Sequence, residues 1–134
     1  MSSDSKEEAF EIRYQMREGY LHAFISGEKD SVASALEYWH RVISECHKCG
    51  LKALLVEESF PNQLSTLEMF AVTSAIPEMG SRGLRIAFVD KEEEHRELNL
   101  FGETVAVNRG VLGRVFQTTE EAVAWLKSQP NREL

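Results

Sequence analysis

The spacing between apolar side chains in this chain switches repeatedly between two residues and three or four, which restricts it to folds that alternate strands with amphipathic helices. From Glu11 to Met16 charged and apolar residues alternate, so Ile12, Tyr14 and Met16 share one side of a half-buried strand. Arg17, Glu18 and Gly19 interrupt the run, and Tyr20 to Ser26 alternates again, which predicts an antiparallel hairpin turning at Gly19. After Gly27 the period lengthens. Asp30 or Ser31 caps a helix whose core stripe is Val32, Ala35, Leu36, Trp39, Val42, Ile43 and Cys46, ending near Gly50.

The run Leu51 to Val56 is too short for a helix and has no polar face, as expected of a strand covered on both sides. A second helix opens at Ser65-Thr66-Leu67-Glu68, where the serine caps the glutamate's amide and the glutamate returns to the serine's. Its expected core stripe is Leu67, Phe70, Ala71, Ser74 and Ala75, with Pro77 and Gly80 at its end. Leu84 to Asp90 supplies another buried strand. The acid-rich segment Glu92 to Glu97 starts a third helix carried by Leu98, Phe101, Val105 and Val107 toward Gly110, weakened by Gly102. Gly113 to Gln117 is a short strand, and Thr118 or Thr119 caps a last helix packing Ala122, Val123, Trp125 and Leu126 inward.

This order predicts an α/β fold: one mixed, mostly parallel five-stranded sheet with an N-terminal antiparallel hairpin and four helices, joined by right-handed crossovers. The domain is expected over 11–128, with a flexible N-terminal tail at 1–10 and a C-terminal tail at 129–134. Trp39 and Trp125 are both expected to be buried on helix stripes.

With 134 residues the chain has the length of one domain. Its apolar runs fall far short of the roughly 20 residues of a membrane span, and Met1 to Glu8 lacks the pattern of a secretory signal, so a cytoplasmic location is expected. A net charge of −7 opposes nucleic-acid partners, whose binding draws on cationic side chains. Two cysteines, Cys46 and Cys49, give no disulfide framework.

The closing third carries the most specific pattern: the run Phe101 to Gly110, then Arg114-Val115-Phe116, then Ala122 to Leu126. Together with the element order, it resembles the SpoIIAA-like branch of the STAS domain, the fold of anti-sigma-factor antagonists. The resemblance implies a noncatalytic regulatory module that binds a protein partner. Because related sheets include lipid-carrying Sec14-like domains, it also implies the alternative of a carrier for a lipid or other apolar small molecule. In the antagonists a phosphorylatable serine lies in an Asp-Ser-Ser/Thr-Gly motif at the start of the helix after the third strand. Here that place holds Leu64-Ser65-Thr66-Leu67, which keeps the hydroxyls and lacks the aspartate and glycine.

Ser65 and Thr66 are therefore the candidate switch, since phosphate at a helix N-terminus adds about −1.5 to −2 charge where backbone amides favour anions. The loop from Ser59 to Thr66 is a candidate partner surface, with Phe60 either presented to a partner or folded back onto the sheet, and Leu64 adding apolar area. Asn108 and Arg109, closing the third helix, form a second candidate surface.

Other clusters read as structural. Cys46 belongs to the core stripe, and the Cys46–Cys49 pair sits at a helix C-terminus, where no dipole favours a thiolate. Glu57 and Glu58 are expected as solvated loop carboxylates, Gly80 to Gly83 as a connection, and His95 with Lys91 to Glu97 as a charged outer face. No catalytic residue, metal site or cofactor is expected, and a homodimer stays open.

Overall fold

In the computed structural model, which describes residues 9–128, strands Glu11–Arg17 (β1) and Tyr20–Ser26 (β2) pair antiparallel from Glu11 opposite Ser26 to Arg17 opposite Tyr20. Gly19 turns the hairpin with a φ of +89°, a conformation that disfavours any side chain. Ala53–Ser59 (β3), Arg85–Asp90 (β4) and Leu112–Phe116 (β5) add to β2 in parallel, giving the order β1-β2-β3-β4-β5. Each parallel step needs a crossover, and each crossover is a helix: Val32–Lys48 (α1), Thr66–Ala75 (α2) and Arg96–Asn108 (α3). Thr119–Ser128 (α4) follows the last strand.

Strands added in one direction through right-handed crossovers leave their helices on one face. Leu21, Ala23, Ile25, Leu54, Val56 and Ile86 meet α1, α2 and α3 there, in the larger core. Ala53, Leu55, Ala87 and Val89 point to the opposite face and pack on Ala122 and Leu126 of α4. The fold is the expected mixed sheet with its N-terminal hairpin and four α-helices.

Several placements differ from the sequence reading. Phe10 is not part of a tail: its ring meets Tyr38 edge-on at 5.5 Å and packs against the core. The remainder of the expected tails, 1–8 and 129–134, lies outside the described residues. On β1 only Ile12 is half-buried, while Tyr14 and Met16 are exposed on this edge strand of the sheet. Tyr38 joins the core side of α1, whereas Val32 and Leu36 are only partly buried. Trp39 is buried and stacks on Phe88 at 6.2 Å. Trp125 is half-buried, tilted against Phe116 at 5.8 Å, since the smaller core under α4 does not enclose it.

Candidate functional site

Ser65 caps α2 as its sequence requires: its Oγ accepts the amide of Glu68 at 3.2 Å, and Glu68 Oε1 accepts the amide of Ser65 at 2.9 Å. Ser65 and Thr66 are both exposed at this helix start. The expected core stripe of α2 is reversed. Val72 and Thr73 are buried, while Leu67 is 81% exposed and Phe70 42%. Leu67, Met69, Phe70, Ala71 and Val72 spread apolar side chains around the helix, so its periodicity does not choose a face. Gly102 of α3 chooses it. A Cβ there would stand 2.8 Å from Met69 Sδ and 3.2 Å from Thr73 Cγ2, so the two helices meet along Met69 and Thr73 and turn Leu67 and Phe70 outward.

Arg109 reaches this outer face, its guanidinium 5.5 Å from the centroid of the Phe70 ring. Asn108 is exposed at the end of α3, and Gly110 takes a φ of +93° just beyond it. The loop before α2 behaves differently from an apolar docking loop. Ser59 is exposed, but Phe60 and Leu64 are buried, and Phe60 stacks on Tyr38 at 5.9 Å. Phe60 and Leu64 are thus withdrawn from the surface, where Leu67 and Phe70 are exposed beside Arg109. The sequence pattern assigns Leu67 and Phe70 inward and so conceals their exposure.

Beneath α2 lies a second feature. Glu58 and Asp90 end β3 and β4 opposite each other, and Asp30 follows β2 at the same carboxyl edge of the sheet. Tyr38 Oη is 2.8 Å from Glu58 Oε2 and 3.0 Å from Asp30 Oδ2. Burial, followed by the Asp30 charge, holds the Glu58 carboxyl well above its usual range, and burial also raises Asp30. The Tyr38 phenol is pushed well up by burial and by the two carboxylates. Asn62 fixes the approach to α1, accepting the Asp30 amide at 2.8 Å and donating to its carbonyl at 3.1 Å.

Asp90 gathers the rest of the cluster. Its Oδ2 meets His95 Nδ1 at 2.9 Å and accepts from Asn99 Nδ2 at 3.1 Å, and its Oδ1 accepts the Glu92 amide at 3.1 Å. His95 is buried rather than solvated, because the short 3-10 turn Glu93–His95 before α3 rotates it onto Asp90. Glu57 and Glu58 are strand residues, not loop carboxylates, and point to opposite faces as the pleat demands. Glu57 meets His22 at 2.9 Å and Lys91 at 3.3 Å.

A cavity of about 90 Å³ opens beside this cluster, between the sheet and α1, α2 and α3. Trp39, Val72, Ile86 and Phe88 line its apolar part, and Asp30, Glu58 and Asn99 its polar part. The cysteines take no part. The Cys46 thiol is buried beside the Leu51 carbonyl, and burial pushes it up to about 11. His47 Nε2 meets the Gly80 carbonyl at 2.6 Å in the connection to β4. Among the described residues no group of three or more His, Cys, Asp or Glu is arranged to hold a metal ion, and no helix is long and apolar enough to cross a membrane.

No protein-family model and no curated protein matches the chain. Among solved structures, the crystal structure of an anti-sigma factor antagonist from Mycobacterium paratuberculosis superposes with a TM-score of 0.60. It is 15% identical, over 88% of this chain and 94% of that one. The NMR structure of the protein TM1081 is also similar, with a TM-score of 0.48 and 19% identity over 96% of this chain and 100% of that one. The first likeness, joined to the strand order and the helix placement, establishes that this chain has the STAS-type fold of an anti-sigma factor antagonist.

Proposed function

We propose that this protein is a noncatalytic regulatory module that binds a protein partner through the outer face of α2, with Ser65 or Thr66 as a site of phosphoregulation. The observation that carries the reading is the exposure of Leu67 and Phe70 within one helical turn of two exposed hydroxyls. A single exposed leucine has no meaning by itself, but two large apolar residues on one helix, flanked by Arg109, form the kind of anchor that interfaces enclose. The structural neighbour is an antagonist of an anti-sigma factor, which supports a partner of protein character.

Phosphate on Ser65 would place its charge at the first turn of α2 and beside the Glu68 carboxylate, which now accepts the Ser65 amide. A modification there therefore acts on the surface that Leu67 and Phe70 present. The carrier reading is less well supported. The cavity beneath α2, at about 90 Å³, is well below the roughly 300–1,000 Å³ of pockets that enclose drug-sized ligands, and the roomier cleft of about 440 Å³ beside Ser65 and Thr66 is lined in part by Gln63, Glu94 and Glu97 rather than by apolar side chains alone.

Affinity capture from the source cells tests the proposal, comparing wild type with the double variant Leu67→Ser/Phe70→Ser and with Leu112→Ser, a control on β5. A protein retained by wild type and the control and lost by the double variant is the expected result. Identical retained sets in all three would overturn it.

A further inference from the structure

The two edges of the sheet are built differently. β5 is a five-residue strand that includes Gly113, and the Glu103 carboxylate of α3 accepts its Val115 amide at 2.8 Å, which blunts that edge. β1 is a seven-residue strand without Pro or Gly, and among the described residues no strand pairs with its outer edge.

The hairpin fixes which backbone groups face outward there. Its two-residue turn, Glu18-Gly19, makes Arg17 and Tyr20 a hydrogen-bonded pair, so the bonded pairs with β2 recur at Gln15, Arg13 and Glu11. The amides and carbonyls of Ile12, Tyr14 and Met16 therefore point away from β2.

A two-fold axis at Tyr14 joins those residues to the same residues of a second copy. In that antiparallel register Tyr14 meets Tyr14 and Ile12 meets Met16, each with its outward backbone groups facing the partner's. Glu11 then stands opposite Arg17 at both ends, and Arg13 opposite Gln15. Within one chain, among the described residues, neither Glu11 nor Arg17 meets an opposite charge. The neighbouring registers that match outward groups are worse. An axis at Arg13 sets two arginines face to face, and an axis at Gln15 sets Arg13 opposite Arg17; like charges directly opposite are destabilising. The order of charges along β1 thus selects a single self-pairing. The same pairing covers apolar area, since Tyr14 is 40% and Met16 64% exposed on the side of the strand where Ile12 meets the core.

We propose that β1 is a homodimerisation edge, through which two copies pair antiparallel about Tyr14 into one continuous sheet. The proposal stands apart from the partner surface, because α2 crosses from β3 to β4, away from this edge, and keeps its outer face open in both copies.

Sedimentation equilibrium of the full chain at low ionic strength, from about 1 μM to 1 mM, tests it. Wild type is expected to show a concentration-dependent dimer. Glu11→Arg and Arg17→Glu each set like charges opposite one another at both ends and should weaken association at least about tenfold. The charge swap Glu11→Arg/Arg17→Glu restores opposite charges and should return association to within about threefold of wild type. Tyr14→Pro removes an outward amide while sparing the β1–β2 bonds and should leave a monomer, with thermal melts confirming that each variant is folded. A wild-type monomer throughout the range, a dimer indifferent to the single charge changes or to Tyr14→Pro, or a swap that fails to restore association would overturn the proposal. Leu67→Ser should dimerise as wild type does, so none of these outcomes bears on the α2 surface.

Discussion

The hydroxyl of Tyr38 lies 2.8 Å from Oε2 of Glu58 at the carboxyl edge of the sheet, and the carboxyl of Asp30 stands on its other side at 3.0 Å. One phenolic proton cannot bond both carboxylates, so a protonated Glu58 completes the chain by donating to Tyr38 while Tyr38 donates to Asp30. The elevation of Glu58 by burial and by the Asp30 charge agrees with that arrangement. The folded state then holds a proton that the unfolded state releases above its ordinary value of 4.5. The stability tied to this group is complete below that value and is lost as pH rises through the elevated folded one.

Glu58→Gln keeps a donor toward Tyr38 and removes the titration. Thermal melts between about pH 5 and 8 should show the variant gaining on wild type as pH rises, with a shallower slope. Asp30, raised in the same direction, leaves some slope behind. Parallel curves for the two proteins would show that Glu58 is not the group responsible.

Gly27 lies where three segments converge. A Cβ on it would stand 2.5 Å from the carbonyl oxygen of Ala9 and 2.8 Å from Phe60 Cε1. Backbone cannot yield as a side-chain tip does, so Gly27→Ala should destabilise by about 1–3 kcal/mol in urea unfolding. A neutral result would mean that the segment before β1 is not held against this loop.

Cap and switch separate cleanly at Ser65. Ser65→Ala breaks the capping box and should cost about 1 kcal/mol in the same assay. Ser65→Asp caps about as well as serine and should hold stability near wild type. Loss of partner binding in the aspartate variant alone would be the mark of a charge-sensitive surface, and unchanged binding in it would count against regulation at this residue.

Much of the architecture is written in the sequence, because strands and helices here differ in period. Leu84 to Asp90 and the stripe from Ala35 to Cys46 announce their elements without help. The α2 surface is hidden because apolar side chains spread around the helix carry no direction until Gly102 of α3 selects the packed side. The polar cluster is not legible in the sequence: the apolar run stops at Val56 and leaves Glu58 looking like a loop carboxylate, whereas β3 continues to Ser59 and sets Glu58 beside Asp90. The inward turn of His95 was not visible, since an acid-rich helix start looks solvated until Asp90 is placed behind it.

The sequence offers Phe60 to a partner surface and assigns Leu67 to the core, and the structure exchanges the two. Phe60→Ala removes a buried ring stacked on Tyr38 and should cost about 3–5 kcal/mol. Leu67→Ser should shift stability by no more than about 0.5 kcal/mol, being 81% exposed. Chemical unfolding of both variants checks the pair, and comparable losses would mean that α2 packs the other way round.

The central claim, that the outer face of α2 meets a protein partner, is tested most directly by replacing Leu67 with a photo-crosslinking amino acid inside the source cells. Leu112, 58% exposed on β5, serves as the comparator. A discrete heavier adduct from position 67, lost when Ser65→Asp is combined with it and absent from position 112, is the result this account predicts. No adduct at position 67, or the same adducts at both positions, would contradict it.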